Sequence, residues 1–120
     1  MRVLIADDDV HVRAAIRLLL EHEAGVSCIS ECATIDRLVD QVAGFHPDAV
    51  LIDWELPGLQ PASTHLAQLR ASAPGTALVV LSCCPELRPD ALRAGAANFV
   101  CKGDAPDKLV AILRNLERAV

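Results

Sequence analysis

Unbroken aliphatic runs punctuate the chain at about 3–6, 26–30, 49–52, 77–81 and 98–101, and the segments between them carry apolar residues at helical spacing. The runs are short enough for strands and too uniformly apolar for one-sided ones, so both their faces are expected to be covered. In the first intervening segment Val12, Ile16, Leu19 and Leu20 share one helical face, and Asp9 stands where an N-cap carboxylate would take the first free amides. Ile35, Leu38, Val39 and Val42 line a second helix behind Thr34 as its N-cap. Leu66 and Leu69 mark a third, stopped by Pro74-Gly75. Leu87 to Ala94 reads as a short fourth helix with Gly95 as its C-cap. Asp104 and Pro106 open the fifth, whose apolar face holds Leu109, Val110, Ile112, Leu113 and Leu116.

Strand then helix, five times over, predicts an α/β fold: a doubly wound parallel sheet with right-handed crossovers and helices on both faces. A composition that is 52% hydrophobic but only 2% aromatic suits such aliphatic, fully covered strands. The length of 120 residues fits one domain over 1–120, with any further domain expected outside this chain.

In open sheets of this kind the ligand crevice lies at the carboxyl ends of the strands, where strand order reverses. The strand exits therefore carry the functional signal. The first run exits into Asp7, Asp8 and Asp9, the third into Asp53, the fourth into Ser82 and the fifth into Lys102. The second, an edge strand ending near Ser30-Glu31, adds nothing evident. Ending buried strands in carboxylates is costly, because a desolvated anion without a partner is strongly disfavoured. Asp9 is accounted for as a cap, but Asp7 and Asp8 cannot both cap the same helix. Gathering Asp7, Asp8 and Asp53 against the single charge of Lys102 would leave the cluster repelling itself. A hard divalent cation that prefers oxygen ligands would neutralise the remainder.

The formal net charge of -5 gives the domain no electrostatic footprint for direct binding to nucleic acid or an anionic membrane. No apolar stretch is long enough to cross a bilayer, and Asp7 interrupts any secretory leader, so a cytoplasmic location is expected. The five cysteines then read as reduced thiols and small buried hydrophobes. Neither Cys28 with Cys32 nor Cys83 with Cys84 has the spacing of zinc ligands, and His11, His22, His46 and His65 do not supply it.

The pieces VLIADDD, PDAVLIDWELPG, LVVLS and AGAANFVCKG, in this order and at these separations, resemble the receiver domain of two-component response regulators. The resemblance runs from Arg2 to the last helix, and its final piece is most similar to receivers that precede helix-turn-helix output domains. It implies a flavodoxin-like sheet in the order 2-1-3-4-5 with five helices. It also implies that Asp53 is the phosphoacceptor, that Asp7 and Asp8 position Mg2+ with Asp8 the more direct ligand, and that the backbone carbonyl of Glu55 is a further ligand. Ser82 would be the hydroxyl and Lys102 the cation that meet the phosphoryl group, and Phe99 the switch aromatic. The donor would be a sensor histidine kinase or phosphotransfer protein. A C-terminal output domain or a second copy of the chain would read the change. On this view the chain is a phosphoacceptor signalling domain and not an enzyme with a separate substrate.

Some positions depart from that pattern. Gly103 follows Lys102 where many receivers carry proline, which removes the basis for a cis peptide there. Glu55 places a carboxylate beside the acceptor, and Cys84 is poorly suited to orient a hydrolytic water, so slow phosphoryl loss is expected. The stretch from Gln60 to Thr64 lacks the glycine that often opens the third helix, which predicts a frayed start. Two other classes of function compete. A phosphate-independent interaction module on the same fold is favoured by Glu55 and the absent Lys-Pro step and opposed by the set Asp8, Asp53, Ser82 and Lys102. An aspartyl phosphatase would use the two-residue spacing of Asp7 and Asp9, but no threonine follows at the usual place.

Overall fold

The computed structural model describes residues 1–118. The apolar runs form strands at Arg2–Ala6 (β1), Cys28–Cys32 (β2), Ala49–Asp53 (β3), Ala77–Ser82 (β4) and Asn98–Cys101 (β5). Helices follow at Val10–Glu21 (α1), Ile35–Phe45 (α2), Ala62–Ser72 (α3), Arg88–Ala94 (α4) and Pro106–Arg118 (α5). All strand pairings are parallel, in the order β2-β1-β3-β4-β5, as expected.

Successive side chains of a strand point to opposite faces, so each strand feeds two cores. Leu4, Val50, Val80 and Phe99 pack with Leu38 of α2, Leu66 of α3 and Ala91 of α4. Val3, Ile5, Leu51, Val79 and Val100 pack with Leu20 of α1 and with Leu109 and Leu113 of α5. This double burial is why the strands read as continuous aliphatic runs and not as alternating ones. Among the described residues no helix is long and apolar enough to cross a membrane.

The local signals act where the sequence puts them. Asp9 caps α1, its carboxylate accepting the amides of His11 at 2.8 Å and Val12 at 3.3 Å. Thr34 caps α2 by accepting the Arg37 amide. Gly95 closes α4 at φ +116, a conformation that L side chains rarely adopt.

Some details differ from expectation. β2 starts at Cys28 and not at 26, because Val26 sits in a turn whose amide donates to the Glu23 carbonyl, and pairing begins only where Arg2 meets Cys28. The length of this edge strand is set by its partner, which its own apolar residues do not record. Val39 is 42% exposed: the buried stripe of α2 is Ile35, Leu38 and Val42, and Val39 turns away from it. Leu87 ends a 3₁₀ turn over Pro85–Leu87 that leads into α4. Pro61 gives α3 no capping side chain, and the Gln60 side-chain oxygen accepts the Ala62 amide instead. The Lys102-Gly103 peptide is trans; among the described residues the cis bond is Gln60-Pro61.

Candidate metal centre

Chain connectivity places the site. From β1 the chain crosses to β2 on one side, whereas β3, β4 and β5 lie on the other, so the order reverses between β1 and β3. That reversal opens a crevice at the carboxyl ends of the two strands. Ala6 pairs with Ile52, so Asp7 and Asp53, one step further along, leave the sheet side by side. Ser82 ends β4 opposite Cys101, and the Lys102 amide donates to the Ser82 carbonyl at 2.8 Å. Register alone therefore carries Asp7, Asp53, Ser82 and Lys102 to one rim.

Among the described residues, Asp7, Asp53 and Ser82 are the buried polar ones. The Lys102 ammonium donates to Asp7 Oδ2 at 2.7 Å and lies 3.1 Å from Asp53 Oδ1. Asp7 Oδ1 accepts the Asp9 amide at 2.9 Å, and Asp53 Oδ1 accepts the Glu55 amide at 3.2 Å. Burial pushes the Asp53 carboxyl above its ordinary range and the Asp7 charge adds to the rise, against the opposing pull of the Glu55 amide and Lys102. Burial by itself would lower the Lys102 pKa. The hydrogen bond to Asp7 and the charge of Asp53 outweigh it, and the net shift is upward.

Asp8 is exposed and completes the acidic group: one carboxylate oxygen each from Asp7, Asp8 and Asp53 lies within 4.8 Å of the others. Three carboxylates against one ammonium leave the rim negative, and every donor in the set is an oxygen. That chemistry fits a hard cation such as Mg2+ and not a thiophilic one. The Glu55 side chain is exposed at the mouth. Ser82 Oγ accepts the Cys84 amide at 3.1 Å, so the hydroxyl is engaged with its own loop. Phe99 is packed in the core, with the Arg88 guanidinium 5.1 Å from its ring centroid. Cys32 is buried and the burial raises its pKa to about 11, whereas Cys83 and Cys84 are exposed, contrary to the expectation of buried thiols.

Two residues of the site have no motif to announce them. Arg13 Nη1 donates to the Asp7 carbonyl at 2.6 Å, and its Nε bonds Glu31 Oε1 at 3.1 Å. The edge strand, which its sequence shows as contributing nothing, thus supplies both Glu31 and the Cys32 carbonyl that accepts the Asp7 amide at 3.1 Å. Acidic residues on edge strands are ordinarily solvated, and a tie across 18 positions leaves no periodic trace.

A family model described as the response regulator receiver domain matches residues 3–114. Response regulator UvrY of Escherichia coli K12 is 31% identical over 118 residues, covering 97% of this chain and 54% of its own length, so the chain spans about half of that curated relative. A LuxR-family two-component response regulator from Aurantimonas superposes with a TM-score of 0.87 at 23% identity, over 98% of this chain and 85% of that one. The isolated REC domain of RcsB from Salmonella enterica serovar Typhimurium, determined in the presence of the phosphomimetic BeF3-, gives 0.86 at 24% identity, over 98% and 88%. Those two likenesses speak for the fold, and the family model spans nearly the whole described chain: it belongs to the receiver domains of two-component response regulators.

Proposed function

We propose that this receiver takes a phosphoryl group on Asp53, with Mg2+ held at the Asp7-Asp8-Asp53 rim, and passes the change to an output domain or a second copy of the chain. The observation that carries this reading is Lys102, one half-buried ammonium shared by carboxylates from two adjacent strand ends.

Asp7, Asp8 and Asp53 would hold the cation through their carboxylates and Glu55 through its backbone carbonyl. Bound there, Mg2+ would offset the charge that otherwise repels an anionic donor. The Asp53 carboxylate is the nucleophile: its bond to phosphorus forms as the bond from phosphorus to the donor breaks, and that electron pair leaves with the donor. Lys102 steadies Asp53 before attack and is within reach of the new phosphoryl oxygens afterwards. Ser82 accepts from Cys84 and keeps its own hydroxyl proton to donate once the loop shifts. That shift would move the Cys83-Cys84 segment, and Phe99, packed in the core with Ala91 and Ala94 of α4, would be the side chain that registers it. The donor would be a sensor histidine kinase or phosphotransfer protein of the cytoplasm. The domain itself binds no nucleic acid and modifies only its own aspartate.

Incubation with Mg2+ and acetyl phosphate, followed by intact-mass measurement, is expected to give a single phosphoryl adduct that Asp53→Asn lacks. The RcsB receiver was determined with BeF3-, and the same small mimic is expected to occupy this rim. An adduct that survives Asp53→Asn, or a wild-type chain that takes neither reagent, overturns the assignment.

A further inference from the structure

We infer that Arg13, clamped by Glu31, is a positioning residue for the metal ligands Asp7 and Asp8; this rests on the Mg2+ reading above. The loop that leaves β1 must present two like charges side by side. Its amide and carboxylate ties, from Asp7 to Cys32 and from Asp9 to Asp7, hold the Asp7 side of the loop. Arg13, one turn into α1, reaches back and donates to the Asp7 carbonyl at 2.6 Å. That carbonyl belongs to the planar peptide joining Asp7 to Asp8, so fixing it fixes the direction in which Asp8 leaves the strand.

Arg13 is itself held. Its Nε bonds Glu31 Oε1 at 3.1 Å, the other Glu31 oxygen takes Arg17 Nε at 2.5 Å, and Arg17 Nη2 reaches the Ile29 carbonyl at 3.4 Å. The Arg13 and Glu31 side chains are only 18% and 28% exposed, so water screens this pair less than an open surface pair. A guanidinium suits the task because its nitrogens diverge in one plane, and one takes the backbone oxygen while another takes the carboxylate. A lysine keeps the charge but is a single point, unable to span both. Charge alone would give Arg13 the opposite effect, since a cation beside the rim repels Mg2+. What it contributes is orientation, as groups behind metal ligands commonly do.

Trp54 is the single tryptophan and the immediate neighbour of Asp53, so its fluorescence follows a Mg2+ titration of the full chain without any phosphodonor. Calorimetry of the same titration covers the case of a silent fluorophore. Arg13→Lys and Glu31→Gln are each expected to weaken Mg2+ binding by about tenfold. A purely electrostatic role would leave Arg13→Lys unchanged and tighten binding in Arg13→Gln; a purely structural one would lower the urea midpoint at wild-type Mg2+ affinity. Either result overturns the inference while leaving the metal reading intact. If Arg13→Lys does not fold, Glu31→Gln carries the same expectation from the partly exposed end of the clamp. A wild-type chain that binds no Mg2+, or binds it equally in Asp8→Asn, overturns the metal reading and this inference with it.

Discussion

Lys102 Nζ meets Asp7 Oδ2 at 2.7 Å, closing 95 residues of chain onto the first strand exit. The same ammonium reaches Asp53. One cation thus serves two buried carboxylates.

Removing that cation is expected to destabilise the domain. Lys102→Ala leaves Asp7 and Asp53 buried without their counter-charge, a loss of about 3 kcal/mol by urea unfolding. Added Mg2+ is expected to return part of it. The pH dependence follows from the raised Lys102 pKa. A cation whose folded pKa lies above its ordinary value of 10.5 contributes fully below that value, and the contribution is lost as pH rises through the folded pKa. The gap between wild type and Lys102→Ala should therefore be constant near neutrality and shrink in strong alkali, where the ammonium is lost, and in acid, where the carboxylates it pairs with are protonated. An unchanged midpoint in Lys102→Ala would sink this account.

Asp53→Asn is expected to do the reverse. The Asp53 carboxyl is raised above its ordinary 3.8 by burial first and by Asp7 second, so its ionised form disfavours the fold. That penalty is absent below the ordinary value and grows as pH rises through the folded pKa. Without Mg2+ at neutral pH, Asp53→Asn should be more stable than wild type by about 1 kcal/mol. The difference should close in acid and at saturating Mg2+. Melting curves across pH read it directly.

What could be read beforehand was whatever a strand end or a helix period records. Val3 and Ile5 face one core and Leu4 and Ala6 the other, and this double burial appears in the sequence as an unbroken run. Asp7, Asp53 and Lys102 stand at strand exits, so the strand-helix alternation sets them on one rim, and the strand order that makes them neighbours is what the family resemblance implies. The Arg13-Glu31 clamp lies beyond such reasoning because it depends on how α1 crosses an edge strand. His46 closes α2 in the left-handed region at φ 52, a place where glycine or asparagine would have been the signal. Val39 shows the limit of periodicity, since an apolar residue next to a buried stripe need not join it.

The cap at Asp9 is separable from the acidic cluster although it adjoins it. Its carboxyl is held below the ordinary range by the amides of His11 and Val12. Such a group stabilises above its ordinary pKa, and the effect fades as pH falls through the folded value. Asp9→Ala is expected to lower the melting midpoint by a few degrees at neutral pH, with the deficit narrowing in acid. Because the bond to Asp7 comes from the backbone amide of residue 9, Mg2+ affinity should hold. A loss of Mg2+ affinity in Asp9→Ala would make Asp9 a member of the cluster.

The mouth of the crevice is expected to set how long a phosphoryl group would last on Asp53. Hydrolysis needs a water aimed at phosphorus from the open side, and an acceptor near the Ser82 loop to orient it. Cys84 occupies that loop, its amide spent on Ser82 Oγ. Its thiol is held protonated, with the charge of Glu86 the largest cause, and burial, Cys83 and Glu55 also acting in that direction. A neutral thiol is a weak acceptor, and the Glu55 carboxylate at the mouth repels an incoming hydroxide as it repels an anionic donor. Both effects are expected to slow loss of a phosphoryl group from Asp53. Cys84→Glu is expected to shorten its lifetime several-fold by supplying an acceptor for water. Glu55→Asn is expected to speed loading and loss together by removing the like charge. Phosphate release after donor removal measures the lifetime, and the early intact-mass time course measures loading. If both substitutions leave both rates where they were, neither side chain controls access to Asp53, and the slow step lies elsewhere in the loop.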